Sequence, residues 1–318
     1  MKKTLTTIAL SITGLVAFAQ QDAQFSMNMF NRLAINPAYA GTNKALCATI
    51  LYRDQWDKFP GSPKTGLLSL DYGQIAHGGV GLTVDQDMLG NEKTLKAKLA
   101  YSFHLPVGPG ILGIGLDAGM IQKSLVNNWV APDGTTSNSS GSNITDVAIP
   151  LGASAMTYDV GFGLYYTTNK LYVGISSLHL PEQKLSESAA TYNFEYKVAR
   201  HYYVMAGYTF NLGTQFDLTP SVLAKSDASS TQLDINLLAK WNKMVFIGAS
   251  YRLTDAAVAI VGVEKSFGRS TAKLGYSYDM TLSAIKNHSS GTHELMLGYC
   301  LKFAKPDKRQ SHMNVRFL

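Results

Sequence analysis

Ile111-Leu112-Gly113-Ile114-Gly115-Leu116-Asp117-Ala118-Gly119-Met120 is the stretch that decides the fold. Leu112, Ile114 and Leu116 alternate with small or polar partners. A period of two places apolar side chains on one face of an extended strand and keeps them off the other. The pattern returns along the chain. Leu95, Ala97, Leu99, Tyr101 and Phe103 oppose Lys96, Lys98, Ser102 and His104. Leu274, Tyr276 and Tyr278 oppose Lys273, Ser277 and Asp279; Leu295, Leu297, Tyr299, Leu301 and Phe303 oppose Glu294, Met296, Gly298, Cys300 and Lys302. No helical period competes with it. Strands of this kind must set their apolar faces against a protein core or against lipid.

Composition favours lipid. Of 318 residues 46% are hydrophobic and only 16% charged, with 28 Gly and with 17 Tyr against 13 Phe. A soluble domain carries nearer a quarter charged residues. Low charge, many glycines and many tyrosines suit a β-barrel with glycine corners and aromatic girdles. The net charge of +6 includes no continuous basic run before the tail, which gives a mild preference for anionic surfaces. The aromatics follow strand alternation rather than a basic groove, so nucleic acid is not expected as a partner.

Residues 1–19 read as a secretory signal: Lys2 and Lys3, an apolar run from Ile8 to Phe18, and Ala17-Phe18-Ala19 as cleavage site. The mature chain is then expected to start at Gln20. No later segment is long and apolar enough for a membrane helix, so a spanning chain must close into a barrel.

About 14 strands are predicted between residues 44 and 303, an even number as in single-chain outer-membrane barrels. From the fourth connection on, the even-numbered connections are short, near Val107, Asn169, Gly213, Asn242 and Arg269. The long loops, 123–152 and 178–197 among them, fall opposite. Short periplasmic turns and long outer loops are the asymmetry such barrels show; a soluble sandwich has no cause to sort its loops. The second strand face carries both charge signs, which predicts a narrow, polar, salt-bridged lumen.

The expectation is therefore an all-β, transmembrane antiparallel β-barrel of outer-membrane type, placed in the outer membrane of a Gram-negative bacterium, with outer-membrane lipid around it. An irregular segment, 20–43, precedes the barrel, and a basic tail, 304–318, expected in the periplasm, follows it. The irregular segment holds Phe25, Phe30, Asn31, Asn36 and Pro37, too much apolar surface for a solvated linker. Two readings fit: a strap packed on the body, or a segment that enters the lumen or docks a periplasmic partner.

The seven histidines have no metal-ligand spacing, and no nucleophile elbow or phosphate loop occurs. Gly113 and Gly115 read as barrel glycines. No enzyme, cofactor or metal is expected; a lipolytic barrel would need a Ser/His/acid cluster at the rim. The first outer connection is the best binding candidate. Trp56, Phe59, Pro60 and Pro63 offer rigid apolar area with Arg53 and Lys64 beside them, which is interface composition, and Gln55 and Gly61 complete the candidate set. Its other reading is a loop folded inward over the lumen. Cys47 near the start of the first strand and Cys300 near the end of the last become neighbours when the barrel closes. An oxidising compartment permits a disulfide there if the Cα atoms lie within about 7 Å.

Three blocks carry a family resemblance: Gln24-Phe25-Ser26 with Phe30-Asn31, Leu33 and Asn36-Pro37-Ala38-Tyr39-Ala40-Gly41; Tyr52-Arg53-Asp54-Gln55-Trp56 with Phe59-Pro60-Gly61-Ser62-Pro63-Lys64-Thr65; and Tyr276-Ser277-Tyr278-Asp279 with Gly291-Thr292-His293-Glu294. With these the chain resembles the PorP/SprF family of type IX secretion system outer-membrane proteins over the whole mature length. The resemblance implies an accessory of the secretion and gliding-motility machinery. It implies support for secretion and surface attachment of large surface proteins, adhesins included, through their C-terminal sorting domains. It also implies periplasmic, peptidoglycan-associated lipoproteins of the machinery as partners. The runner-up reading is a passive, porin-like channel for small solutes.

Overall fold

Alternating segments form strands wherever the sequence repeats the pattern of residues 111–120. The computed structural model describes residues 22–75, 77–126, 152–189 and 192–303. The expected signal peptide, most of the loop 123–152 and the basic tail lie outside those residues. In chain order the strands are β1 (Leu46–Asp54), β2 (Lys64–Ile75), β3 (Gly78–Leu89), β4 (Glu92–Val107), β5 (Gly110–Leu125), β6 (Ala153–Thr167), β7 (Leu171–Leu178), β8 (Lys184–Ala189), β9 (Tyr192–Lys197), β10 (His201–Tyr208), β11 (Phe210–Leu212), β12 (Phe216–Ser226), β13 (Thr231–Trp241), β14 (Val245–Arg252), β15 (Ala256–Phe267), β16 (Ser270–Thr281) and β17 (Thr292–Leu301). β8 and β9 form a separate hairpin, and β10 with β11 makes one stave broken at Thr209. The remainder is a closed antiparallel ring of 14 staves.

Sequential neighbours pair around the ring, and two pairings across long connections close it. β7 pairs with β10 across the hairpin insertion, and β10 pairs on its other edge with β12. At the seam β1 pairs with β17 in one register from Leu46 opposite Leu301 to Asp54 opposite His293. That register sets Cys47 opposite Cys300 with Cα atoms 4.0 Å apart, and the two are joined by a disulfide.

The two faces of the staves have different fates. Outward side chains are exposed: Leu99 (67%), Leu116 (57%), Ile247 (62%) and Leu297 (55%). Inward ones are buried, among them Lys98, Asp117, Arg252, Asp279 and Glu294. Most of the outward aromatics fall in two belts. Tyr52, Tyr158, Tyr202, Tyr251 and Tyr278 stand toward the end that carries the long connections; Tyr208, Phe210, Phe216, Trp241, Phe267 and Tyr299 stand toward the other. An apolar band between aromatic girdles matches the two interfaces of a bilayer. Along the edge that the loop lengths assign to the periplasm every turn is short, as expected. The outer edge is mixed: beside its long loops it has the tight β3–β4 turn at Gly90 and Asn91 and the short connections 227–230 and 253–255.

The lumen departs from the expectation in one respect. It is polar and salt-bridged toward the outer end. Deeper in, Leu51, Leu67, Phe246, Val258, Ile260 and Met296 also point inward and pack with Met27 and Met29. The reason is the N-terminal segment, which lies within the ring and brings apolar side chains that need partners.

Candidate functional site

The lumen is built around that segment. It runs from Asp22 at the outer end through three short helical turns, Asn28–Phe30, Arg32–Ile35 and Pro37–Tyr39, down to the periplasmic start of β1. Asn36 starts the last turn. Its side-chain oxygen accepts from Ala38 N at 2.9 Å, with Pro37 supplying a preset first residue. The Asn36 amide donates to the carbonyls of Leu164 and Ile175 at 3.0 and 3.1 Å, which ties the turn to β6 and β7. Ser102 donates to Ala38 O at 2.8 Å and Ser176 to Ile35 O at 2.6 Å.

The seat for this turn is the glycine face of the deciding strand. A Cβ on Gly115 would strike Ala38 and Pro37, one on Gly113 would strike Ala38 O, and one on Gly163 would strike Asn36. Gly113 and Gly115 are thus barrel glycines for a specific reason: the backbone of the N-terminal turn approaches them. Gly41, at φ +74°, turns the chain toward β1 against Gly73 and Gly79.

Nearer the outer end the segment is held by charge. Ser26 N and Met27 N donate to the Glu294 carboxylate at 2.7 and 2.9 Å. Ser26 Oγ donates to Asp279 at 2.6 Å and accepts from Arg53 Nη1 at 2.6 Å. Arg53 pairs with Asp279 at 2.9 Å and with Glu294 at 3.0 Å; Arg252 pairs with Asp279 at 3.1 Å and with Asp234 at 3.4 Å. All of these side chains are buried, so each charge depends on its partners.

Asp22 is the uppermost anchor. Its carboxylate accepts from Lys96 at 2.6 Å and from Tyr203 at 2.9 Å, and it faces His179 Nε2 at 3.0 Å. Its N–H donates to His201 Nε2 at 3.1 Å, and Lys225 donates to its carbonyl at 2.7 Å. His179 Nδ1 faces Asp159 at 2.8 Å, so both ring nitrogens meet carboxylates and both must carry protons. Burial alone would push the His179 pKa down, but Asp22 and Asp159 outweigh it and hold it raised. Burial likewise opposes Asp22 ionisation, yet His179, Lys96 and His201 hold its carboxyl well below the usual range. Asp22, His179 and His201 could in principle gather a metal ion, since their ligand atoms lie within 4.8 Å of one another. Lys96 already occupies the carboxylate, and Lys225 stands beside it, so a cation would meet repulsion there.

The sequence-predicted residues divide. Arg53, Asn31 and Asn36 are buried at 1% exposure or less, and Pro37 is buried with them. Arg53 is therefore no contact for an outside partner; it points inward because it sits in register with Glu294 across the seam. Phe25 and Phe30 are partly buried against the luminal apolar cluster. The connection 55–63 is tied to its neighbours on both sides, with Gly90 N donating to Gly61 O at 2.9 Å on the β3–β4 side. It is stapled to the β16–β17 loop by Asp57 N to Gly291 O at 2.8 Å and Ser290 N to Asp57 O at 2.9 Å. Gln55 and Trp56 are half-buried there, whereas Phe59, Pro60 and Gly61 are exposed at its tip. Asp22, Ser26 and His179 were not found from sequence, because single polar residues in irregular segments carry no periodic signal.

A closed antiparallel ring with an apolar outer band, two aromatic girdles and a lumen occupied by its own N-terminal segment defines an outer-membrane-type β-barrel. The chain belongs to the family described as type IX secretion system membrane protein PorP/SprF, whose model matches residues 17–299. Among solved structures, the toluene transporter TbuX of Ralstonia pickettii is similar at a TM-score of 0.50 and 12% identity, over 86% of this chain and 93% of that one. The CymD monoaromatic hydrocarbon channel is similar at a TM-score of 0.50 and 14% identity, over 88% of this chain and 94% of that one. Identities this low speak for the fold alone. No curated protein matches the sequence.

Proposed function

We propose that this protein is a non-enzymatic accessory of the type IX secretion and gliding-motility machinery in the outer membrane. In this reading residues 1–19 direct export and are cleaved. The barrel supports secretion and surface attachment of large surface proteins, adhesins among them, through their C-terminal sorting domains. Peptidoglycan-associated lipoproteins of the machinery meet its periplasmic side. The carrying observation is that inward-facing polar side chains spend their hydrogen bonds on residues 22–40 rather than on a water column. A lumen used in this way suits a scaffold better than a pore. The exposed Phe59-Pro60-Gly61 tip, beside the exposed Met88 and Leu89, is the outer contact this reading assigns to the surface protein. The half-buried Gln55 and Trp56 hold that tip.

The second reading is a passive channel for small solutes. It draws on the fold shared with TbuX and CymD, whose names describe transport of aromatic hydrocarbons. Purification of the protein from outer membranes, followed by mass spectrometry of what stays bound, separates the two. A surface protein with a C-terminal sorting domain, lost in a Phe59→Ser/Pro60→Ser variant, is the expected result. A barrel that purifies alone and conducts small solutes would favour the channel.

A further inference from the structure

At the periplasmic end the N-terminal segment does not fill the ring completely. A cavity of about 250 Å³ remains below it, bounded by the β6–β7 turn (Thr167–Lys170), the starts of β12 and β16 and the end of β13. Its charges are unbalanced. Arg32, Lys170, Lys240 and Lys273 line it, with Asp217 as the acid among the lining residues. Glu264 is shared by Lys240 at 2.8 Å and Lys273 at 3.5 Å. Four cations thus meet two carboxylates, and Asp217 already accepts from Asn211 at 2.6 Å.

Arg32 is the distinctive member. Its guanidinium lies 3.7 Å over the Tyr172 ring, and Nη1 donates to the neutral phenol of Tyr165 at 3.1 Å. Nε has no hydrogen-bond partner, and among the described residues no carboxylate lies within ion-pair distance of the group. Elsewhere in this lumen buried arginines are paired twice over: Arg53 and Arg252 each meet at least two acids. Stacking on a ring fixes a guanidinium in plane but does not neutralise it.

We infer that this vestibule is a binding site for a carboxylate arriving from the periplasmic side. Arg32 supplies a fixed, planar cation at the roof, and Lys240 and Lys273, which share Glu264, supply two more at the wall. Thr167, Thr209 and Thr219 add hydroxyls. Met29, Phe30, Leu171 and Leu238 give the site an apolar side suited to an organic acid or a peptide side chain rather than to a bare inorganic ion. The carboxylate can come from a free dicarboxylate or from an acidic peptide segment; the chemistry recognised is the same. The inference depends on which end faces the periplasm and not on the secretion reading.

The test uses the full mature chain in detergent at low ionic strength, titrated by calorimetry with succinate, with a glutamate-rich hexapeptide and with inorganic phosphate. Saturable binding of one or both carboxylates, at least tenfold weaker in Arg32→Gln and in Lys240→Gln and unchanged in Lys184→Gln on the outer hairpin, is expected. Binding of succinate as tight as that of the peptide assigns a free acid; binding of the peptide alone assigns a protein segment. Phosphate binding as tight as either carboxylate, or no saturable binding, or equal affinity in a folded Arg32→Gln variant overturns the inference. Retained heat-modifiable gel mobility certifies folding, and if Arg32→Gln fails that check, Lys170→Gln/Lys240→Gln at the rim carries the same test. Co-purification of a surface protein can succeed or fail independently of these titrations.

Discussion

Replacing Arg53 by Met tests how the N-terminal segment is held. Arg53 is 1% exposed and bridges Asp279 at 2.9 Å, Glu294 at 3.0 Å and Ser26 Oγ at 2.6 Å. Methionine keeps most of the volume, so the loss is one of charge rather than of packing. Glu294 would keep only the two backbone donors, Ser26 N and Met27 N. Asp279 would keep Arg252 and Ser26. Removing one partner of a buried ion pair typically costs about 3–5 kcal/mol, most of it the penalty of the orphaned charge. Urea unfolding of the protein refolded into lipid vesicles, followed by tryptophan fluorescence, reads that cost. If the orphaned Glu294 is the cause, Arg53→Met/Glu294→Gln should recover at least about 1 kcal/mol relative to the sum of the single variants, since contacting residues couple by roughly 0.5–3 kcal/mol. A loss under about 1 kcal/mol for Arg53→Met, or strict additivity in the double variant, would refute the reasoning.

Three further outcomes follow from the same geometry. Gly115→Val sets side-chain atoms where Ala38 now lies; a loss of about 1–3 kcal/mol from overpacking is expected, with protease access to residues 22–44 gained. His179, pKa raised, and Asp22, pKa lowered, anchor the start of the segment. A raised histidine stabilises fully below its unfolded value of about 6.5 and loses that contribution as pH climbs through the folded value; the lowered aspartate stabilises above its unfolded value of about 3.9 and loses it as pH falls through the folded one. The urea midpoint should therefore decline from pH 6 to pH 9 in the wild type and stay flatter over that range in His179→Gln. Cys47–Cys300 spans 253 residues of sequence and locks the seam; reduction should cost about 2–4 kcal/mol, and a Cys47→Ser/Cys300→Ser variant should not respond to reductant.

Much of the barrel was legible because its rule is local. Leu95 to Phe103 and Leu295 to Phe303 alternate so cleanly that face, strand and seam follow from parity, and the same parity turned Cys47 and Cys300 toward each other. What failed was the expectation that the inward face answers only to charge. Phe246, Val258 and Ile260 point inward because Met27 and Met29 are there, and a period of two says nothing about a partner 200 residues away. Arg53 shows the same limit. In sequence it neighbours Trp56 and resembles a rim cation; across the seam it neighbours Glu294. The β8–β9 hairpin and the tight turn at Gly90 escaped because short polar segments admit several structures at similar cost. Asn36 and Pro37 open a turn, and only the three-dimensional fit to Gly113, Gly115 and Gly163 explains why the turn is there.

Single-channel conductance in planar bilayers bears most directly on the central claim that the barrel is closed by its own N-terminal segment. The wild-type protein should insert without stepwise open-pore currents, while a variant with residues 24–43 replaced by a short Gly-Ser linker, and still heat-modifiable on gels, should show them. Stable open-pore steps from the wild type, unchanged by the replacement, would contradict it.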